Sequence, residues 1–565
     1  MNFWPVESDG EVSTFLDADR LLAGGPRTFA RSVERLLVHL GFDDIRNIDG
    51  PGDEGGDILA ARDHARWVFQ CKWSSQRFID DTAVRQVDAA KAFYGADRAV
   101  VATNARPGRS AVERRQRLLS VGVRIDFWDA TALAKFASQI IPRFIPARFD
   151  LYPYQRQALE KIKMALKAGG RAFLILATGL GKTVVAGEVV RWVLQRRPEE
   201  DVLLVAHTKE LVNQLERAMW RHLPKDTPTQ VLTGDERPPS LRGIVCATVA
   251  SALRAVEEGW RPGLVVVDEA HHVAEVGRFQ ELLDHLPDSW RLGITATPWR
   301  GDRYQVTQRF GNPVFRMGIA DGMTAGFLAQ VDYRLFVDID LDWKAVTKAS
   351  EKSLTVKDLN ERLFLPQRDE QIVDTLHDTW ANTHEPRAIM FCRTINHAEE
   401  FAHLLRASGW RRAAALSTRQ TRRDRNVLMS EFRDGRVPII TAVDILNEGV
   451  DVPDVNILAF MRVTHSRRIF VQQLGRGLRL REGKERVVVL DFVSDIRRVA
   501  ATLNLQRDLQ RLRNEEIERL TLPGSLFTFS EPQIGSFLDE WIQDAASLED
   551  ADEEVRLQFP VWWRE

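Results

Sequence analysis

At 565 residues, with 44% hydrophobic and 28% charged residues and a formal net charge of −2, the chain has material for several buried cores and no overall charge that selects a polyanion partner. Its three cysteines, Cys71, Cys246 and Cys392, stand far apart, each inside an apolar run, which excludes a disulfide framework and a cysteine metal cluster. The polar opening around Glu7, Asp9 and Glu11 and the lack of any bilayer-length apolar run predict a soluble, cytoplasmic protein with no membrane attachment.

In chain order, residues 28–40 place Phe29, Val33, Leu36, Leu37 and Leu40 at helical spacing, with Glu34 among them and Gly41 as the stop. Residues 55–59 (GGDIL) and 67–73 (WVFQCKW) read as neighbouring strands joined by a polar turn at Asp63 and His64. Alternation puts Gln70 and Lys72 on one face, and strand pairing could set Asp57 beside them. A carboxylate, an amide oxygen and an ammonium in one pocket suit a Mg2+-dependent phosphodiesterase: Asp57 and Gln70 hold the metal, and Lys72 stabilises charge at phosphorus or positions water. On spacing alone the plainer reading is a polar strand face of a small α/β domain. This segment, continuing through the helix-like residues 84–94 and the run AVVATN at 99–104, resembles the Mrr-type restriction endonucleases of the PD-(D/E)XK nuclease fold. The resemblance covers about the first 140 residues. It implies that Glu34, Asp57, Gln70 and Lys72 occupy metal and catalytic positions, with glutamine in a slot otherwise filled by glutamate.

Residues 141–146 (IPRFIP) break the pattern and begin a linker. Gln155 follows at a predicted helix start, where its amide could pair with an adenine edge while Tyr152 or Phe149 stacks on the base. The apolar run 172–176 then leads into a loop, LATGLGKT at 176–183, and into an apolar-faced helix. Thr178 lies within this loop, and Gly179 and Gly181 let the backbone turn its N–H groups toward an anion at the helix N-terminus. Lys182 would reach the β- and γ-phosphates of ATP, and Thr183 would ligate Mg2+. Leu176 stands where the general pattern has its first glycine. Three further apolar runs end in polar groups: His207 to Glu210, Asp268 to His272, and Thr295 to Pro298. The carboxyl ends of strands are where an open parallel sheet binds its ligand. Asp268 would complete the Mg2+ shell opposite Thr183, and Glu269 would polarise the attacking water.

The second half repeats the strand–helix rhythm without a second cradle, and it carries Arg476 and Arg479 three apart on one predicted helix face. In order and spacing, these motifs from residue 149 to about 495 resemble superfamily-two DEAD/DEAH-box helicases, within them the restriction-subunit branch, where an apolar residue such as Leu176 is ordinary. The resemblance implies two RecA-like parallel-sheet domains with ATP in the cleft between them. It places Lys209, Thr233, Thr248, Arg393 and Thr441 on the nucleic-acid backbone, His271, Thr295 and Thr297 in coupling, Asp451 on the ribose, and Arg476 and Arg479 as arginine fingers. Such contacts are phosphate-directed, hence independent of base sequence and weakened by salt.

The expected organisation is α/β throughout. A small restriction-endonuclease-like domain spans 1–146, a first RecA-like domain 147–315, and a second 316–495 with a charged insert near 340–382. An extension at 496–565 contains an amphipathic helix over 503–520 and an acidic tail whose Trp541, Trp562 and Trp563 pack rather than stack on bases. The function expected is an ATP-driven DNA translocase or helicase coupled to Mg2+-dependent DNA cleavage, in restriction or anti-phage defence and with partner subunits of such a system. The alternatives are a repair or remodelling motor whose first domain only binds DNA, an ATP-gated clamp, and an RNA-directed helicase.

Overall fold

Continuous apolar runs, unlike alternating ones, dictate strands covered on both faces, and this chain builds its sheets from such runs. The computed structural model describes residues 25–48, 55–147, 149–238, 240–273, 277–296, 306–336, 354–355, 369–392, 394–443, 455–461, 486–492 and 556–557. The extension from 496, with its expected helix and tryptophans, and the charged insert lie almost entirely outside them.

The first sheet has the order β1 (Asp43–Asn47), β2 (Ile58–Arg62), β3 (Ala65–Lys72), β4 (Arg98–Thr103), β5 (Ile125–Trp128). The first three strands are antiparallel and the last two join in parallel. Asp63 and His64, both at positive φ (52° and 61°), turn β2 into β3, the twist a two-residue hairpin demands. One sheet face packs Ile58, Phe69, Val100 and Ala102 on Phe29, Val33 and Leu36 of helix α1 (Gly25–His39). The other packs Leu59, Val68, Ala99 and Val101 on Val84 and Val87 of helix α2 (Thr82–Tyr94).

Next come helix α3 (Pro153–Gly169), strand β6 (Arg171–Leu176), helix α4 (Lys182–Arg196), strand β7 (Val202–Ala206), helix α5 (Lys209–Trp220), strands β8 (Thr229–Leu232) and β9 (Ile244–Thr248), helix α6 (Val249–Glu257), and strands β10 (Leu264–Asp268), β11 (Trp290–Thr295) and β12 (Pro313–Met317). The strands form one sheet in the order β8-β9-β7-β10-β11-β6-β12, every pair parallel. Successive residues of each strand enter opposite cores: Leu174, Leu204 and Val266 one, Phe173, Leu203 and Val265 the other. A second all-parallel sheet runs β13 (Gln330–Phe336), β18 (Arg486–Phe492), β17 (Ile457–Phe460), β14 (Ala388–Phe391), β16 (Ile439–Ala442), β15 (Ala414–Leu416). Helices α7 (Ile395–Ala407) and α8 (Arg422–Arg433) belong to it. A single contiguous apolar cluster includes side chains of both parallel sheets.

The amino-terminal domain docks on the first parallel domain through Arg31, Glu34 and Arg35, which the three- and four-residue spacings place on one face of α1. Arg31 Nε lies 3.1 Å from Glu216 of α5, and its Nη2 donates to Glu236 at 2.8 Å. Glu34 accepts from Arg217 Nε at 2.6 Å. Arg35, fully buried, donates to the carbonyls of Pro224 at 3.0 Å and Thr227 at 2.8 Å. From the opposite side Lys225 donates to the Ala137 carbonyl at 2.9 Å. A much thinner contact reaches the second parallel domain, where Arg66 of β3 pairs with Asp434 just past α8 and Val427 of α8 touches the first domain's core.

This buried joint carries a pH dependence. Burial, with the nearby cations of Arg35 and Lys225, lowers the His39 imidazole from 6.5 to about 4. A base depressed by folding contributes stability above its unfolded pKa and loses it as pH falls toward the folded value. Between pH 6.5 and 4 the joint should therefore weaken by up to about 3 kcal/mol. Chemical unfolding across that range should show a steeper loss in the parent than in His39→Leu; equal slopes would rule this out.

Candidate active sites

The loop at the end of β6 is shaped by what surrounds it. Leu176, in place of a glycine, is the fully buried last residue of the strand and packs in the core. The turn is made beyond it, with Gly179 at φ 93° and Gly181 at φ 79°. Thr178 and Thr183 are partly exposed beside it, and Lys182 opens α4. Across from the loop β10 ends in Asp268, and Glu269 takes a left-handed conformation (φ 50°, ψ 53°) that only a minority of non-glycine residues adopt. That bend brings Glu269 Oε1 to 2.8 Å from Lys182 Nζ. His271 Nδ1 lies 3.3 Å from Glu269 Oε2 and 2.8 Å from Thr295 Oγ1 at the end of β11.

Lys182, Glu269, His271 and Thr295, from three strand ends, thus form one polar chain along the sheet's carboxyl edge. Burial favours a neutral Glu269, but the charges of Lys182 and His271 outweigh it and hold its carboxyl far below the usual range. Burial and the adjacent Glu269 push Asp268 up, to about 6. A buried carboxyl so placed is one whose anion a divalent cation would stabilise. Among the described residues no cluster of three or more histidine, cysteine, aspartate or glutamate side chains forms a metal site.

Gln155 corrects the expectation of an open adenine reader. It is buried; its Oε1 accepts from Tyr152 N at 3.0 Å and its Nε2 donates to the Leu180 carbonyl at 3.0 Å. Tyr154 donates to the same carbonyl at 2.9 Å. Both side chains brace the loop from behind, because helix α3 starts directly beneath it. Of the two aromatics, Phe149 is stacked on His222, whereas Tyr152 lies against Tyr154 and is half exposed. A Cβ at position 181 would meet Gln155 Nε2 at 2.5 Å, in a backbone region hostile to L-residues. Gly181→Ala should accordingly weaken nucleotide binding about tenfold or more, since 1–3 kcal/mol of strain falls on the loop. Titration with a fluorescent ATP analogue measures it, and unchanged affinity would contradict the bracing role.

In the amino-terminal domain the β2–β3 pairing, Ile58 opposite Phe69, sets Asp57 beside Gln70. Asp57 accepts from Gln70 Nε2 at 2.9 Å and from the Cys71 backbone N–H. Both side chains are buried, and among the described residues Gln70 Oε1 has no hydrogen-bond partner. A carboxylate and an unsatisfied amide oxygen at one strand end fit a hard divalent cation, and Lys72 lies partly exposed at the end of β3. Glu34 is engaged elsewhere in this structure. The resemblance assigns it to this site, but its carboxylate is held by Arg217 of α5 and by Asn47 Nδ2 at 2.7 Å, because its helix face is the docking face.

The expected nucleic-acid contacts divide. Lys209 opens α5 and donates to Asp235 at 2.6 Å, both exposed. Thr248 caps α6, its hydroxyl donating to Ser251 Oγ at 3.0 Å. Thr233 is nearly buried in the turn that follows β8. Thr441 is fully buried and donates to the Ala398 carbonyl of helix α7 at 2.7 Å. Arg393, Asp451, Thr297, Arg476 and Arg479 lie outside the described residues. Sequence reasoning overlooked Tyr154 and Asp235, though an aromatic next to Gln155 and an acid one residue past Thr-Gly were visible signals.

Comparison with known proteins agrees with this architecture. Residues 21–137 match the family described as restriction endonuclease (Mrr catalytic), 148–300 the type III restriction enzyme res subunit, and 368–481 the helicase conserved C-terminal domain. The type I restriction enzyme EcoAI endonuclease subunit of Escherichia coli is 26% identical over 380 residues, which is 60% of this chain and 45% of that one. The DNA 3'-5' translocase XPB2 of Sulfurisphaera tokodaii is 25% identical over 381 residues, 61% of this chain and 82% of that one. Among solved structures, the ATP-dependent type ISP restriction-modification enzyme LlaBIII bound to DNA superposes with a TM-score of 0.50 at 17% identity, covering 87% of this chain and 39% of that one. The chain spans less than half of the EcoAI subunit and of LlaBIII. No described helix is long and apolar enough to cross a membrane. By its three domain matches, in their order along the chain, the protein resembles the superfamily-two helicases of the restriction-subunit type, with a match to an Mrr-like restriction-endonuclease domain at its amino-terminal end.

Proposed function

We propose that this chain is an ATP-driven DNA translocase or helicase whose amino-terminal domain makes Mg2+-dependent cuts in DNA, within a restriction or anti-phage system. The observation that carries the motor half is the polar chain from Lys182 through Glu269 and His271 to Thr295. It sits where the cradle, the acidic pair and the neighbouring strand end meet, as phosphoryl transfer requires. In the described state Lys182 is occupied by Glu269. An incoming γ-phosphate would draw the ammonium away and free Glu269 to orient water, with Thr183 and Asp268 holding the Mg2+ that neutralises the phosphates. Displacement of Glu269 is relayed to Thr295 through His271, which links the phosphate site to the adjacent strand. Gln155 and Tyr154 keep the loop in shape, Tyr152 offers the base a stacking surface, and Asp451, Arg476 and Arg479 would close the cleft from the second domain. Lys209, Thr248 and Thr233 would meet DNA phosphates.

For cutting, Asp57 and Gln70 would hold the metal, which supplies an activated water, and Lys72 would steady charge on the scissile phosphate. A second reading, a domain that binds DNA without cutting it, draws on one observation: Glu34 is engaged by Arg217 rather than by Asp57 and Gln70. Labelled duplex incubated with Mg2+, with and without ATP, tests both. Cleavage together with DNA-stimulated ATP hydrolysis supports the first reading, hydrolysis without cleavage under any divalent metal supports the second, and absence of DNA-stimulated hydrolysis sinks the motor.

A further inference from the structure

The docking face of α1 does more than join two domains. Arg31 reaches the buried Glu216 of α5, and its fork also extends to Glu236, four residues past the end of β8. Glu236 closes a turn onto Thr233: Thr233 N donates to the Glu236 carbonyl at 2.8 Å and Glu236 N to the Thr233 carbonyl at 3.3 Å. At the tip, Asp235 N donates to Thr233 Oγ1 at 3.4 Å, and the Asp235 carboxylate accepts from Lys209. The turn therefore joins, within four residues, a clamp from the amino-terminal domain and two groups placed above on the nucleic-acid track, Thr233 and Lys209.

The two ends of the turn are held with different firmness. Lys209 and Asp235 are 48% and 62% exposed, and a pair so open to water is readily exchanged for a phosphate. Arg31 is 18% exposed, lies against a buried carboxylate and offers the fixed geometry of a guanidinium fork. Burial works against its charge, but Glu216 and Glu236 together more than restore it.

We propose that Arg31 is a positioning residue of the motor: by clamping Glu236 it fixes the turn 233–236 so that Lys209 and Thr233 meet the DNA strand. Docking of the nuclease-like domain thereby completes the motor's track, and a motor without it would grip DNA poorly. This rests on the reading of the chain as a DNA-stimulated ATPase.

The test is ATP hydrolysis by the full chain against DNA concentration, in the parent, Arg31→Ala, Glu236→Gln, the double substitution and Arg31→Lys. The half-saturating DNA concentration should rise roughly tenfold in each of the first two and no further in the double, as for groups acting through one contact. The rate at saturating DNA should stay within about twofold of the parent, and Arg31→Lys, which keeps charge without the fork, should fall between. Should Arg31→Ala fold poorly, Glu236→Gln gives the same reading, since Glu236 lies on the loop and not in α1. An unchanged half-saturation, additive effects, or a loss confined to the saturating rate overturns the proposal. A parent whose hydrolysis ignores DNA is a different result and overturns the motor reading itself.

Discussion

Lys182→Ala should reduce ATP hydrolysis at least about a hundredfold, the scale on which a preorganised charge at a reacting centre acts. Lys182 does two jobs. In the proposed reading its ammonium would be the cation the γ-phosphate meets, and before ATP arrives it offsets the charge of Glu269, 2.8 Å away. Without it the adjacent, partly buried carboxyls of Asp268 and Glu269 lose their nearest cation, and Asp268, already pushed up to about 6, would rise further. A larger share of Asp268 would then be protonated at neutral pH, and its affinity for a divalent cation would fall with it. Arg in place of Lys should not rescue the rate, since a planar fork does not fit a cradle built around one point charge. Phosphate release in saturating DNA measures this, and a rate within tenfold of the parent would show that the loop is not the phosphate site.

The second large effect falls on the other domain. Asp57→Asn preserves the shape and the acceptor oxygen that Gln70 and the Cys71 N–H use, but removes the charge a metal needs. Mg2+-dependent cleavage should drop by roughly two to three orders of magnitude, and Lys72→Ala should produce a loss of the same order. ATP hydrolysis should be unaffected, because Asp57 immediately precedes β2 of the amino-terminal domain and Lys182 opens α4 of the first parallel domain. Cleavage that persists in Asp57→Asn would favour the domain that only binds DNA.

Much of this architecture was legible in the sequence because its signals are local. Runs such as Val202 to Ala206 and Leu264 to Val267 are apolar throughout, as only doubly covered parallel strands are, and the polar groups that follow them mark the ligand edge without reference to any other part of the chain. That Asp57 and Gln70 would meet was readable for the same reason, since a two-residue hairpin fixes which side chains meet across it. What the sequence hid is what depends on distant partners. Glu34 lies 183 residues from Arg217, and an acidic residue within an amphipathic helix reads alike whether it faces a metal or a neighbouring domain. Thr441 stands next to the end of its strand, as a contact residue would, yet its hydroxyl bonds to the Ala398 carbonyl of helix α7. Gln155 has the right place and the right chemistry for a base, and only the fold shows that Leu180 and Tyr152 occupy it.

The Arg66–Asp434 contact has a mechanical meaning. The nuclease-like domain touches both parallel domains, and those two share an apolar cluster, so the three bodies close a triangle. In a triangle no angle changes while all three sides keep their length. The side toward the first parallel domain is secured by buried Arg35, Glu34 and Lys225, whereas the side toward the second rests on a partly exposed ion pair and the edge of α8. Opening or closing of the proposed nucleotide cleft would therefore also displace the side of the nuclease-like domain where the central strand β3 begins, the strand that ends in Gln70 and Lys72.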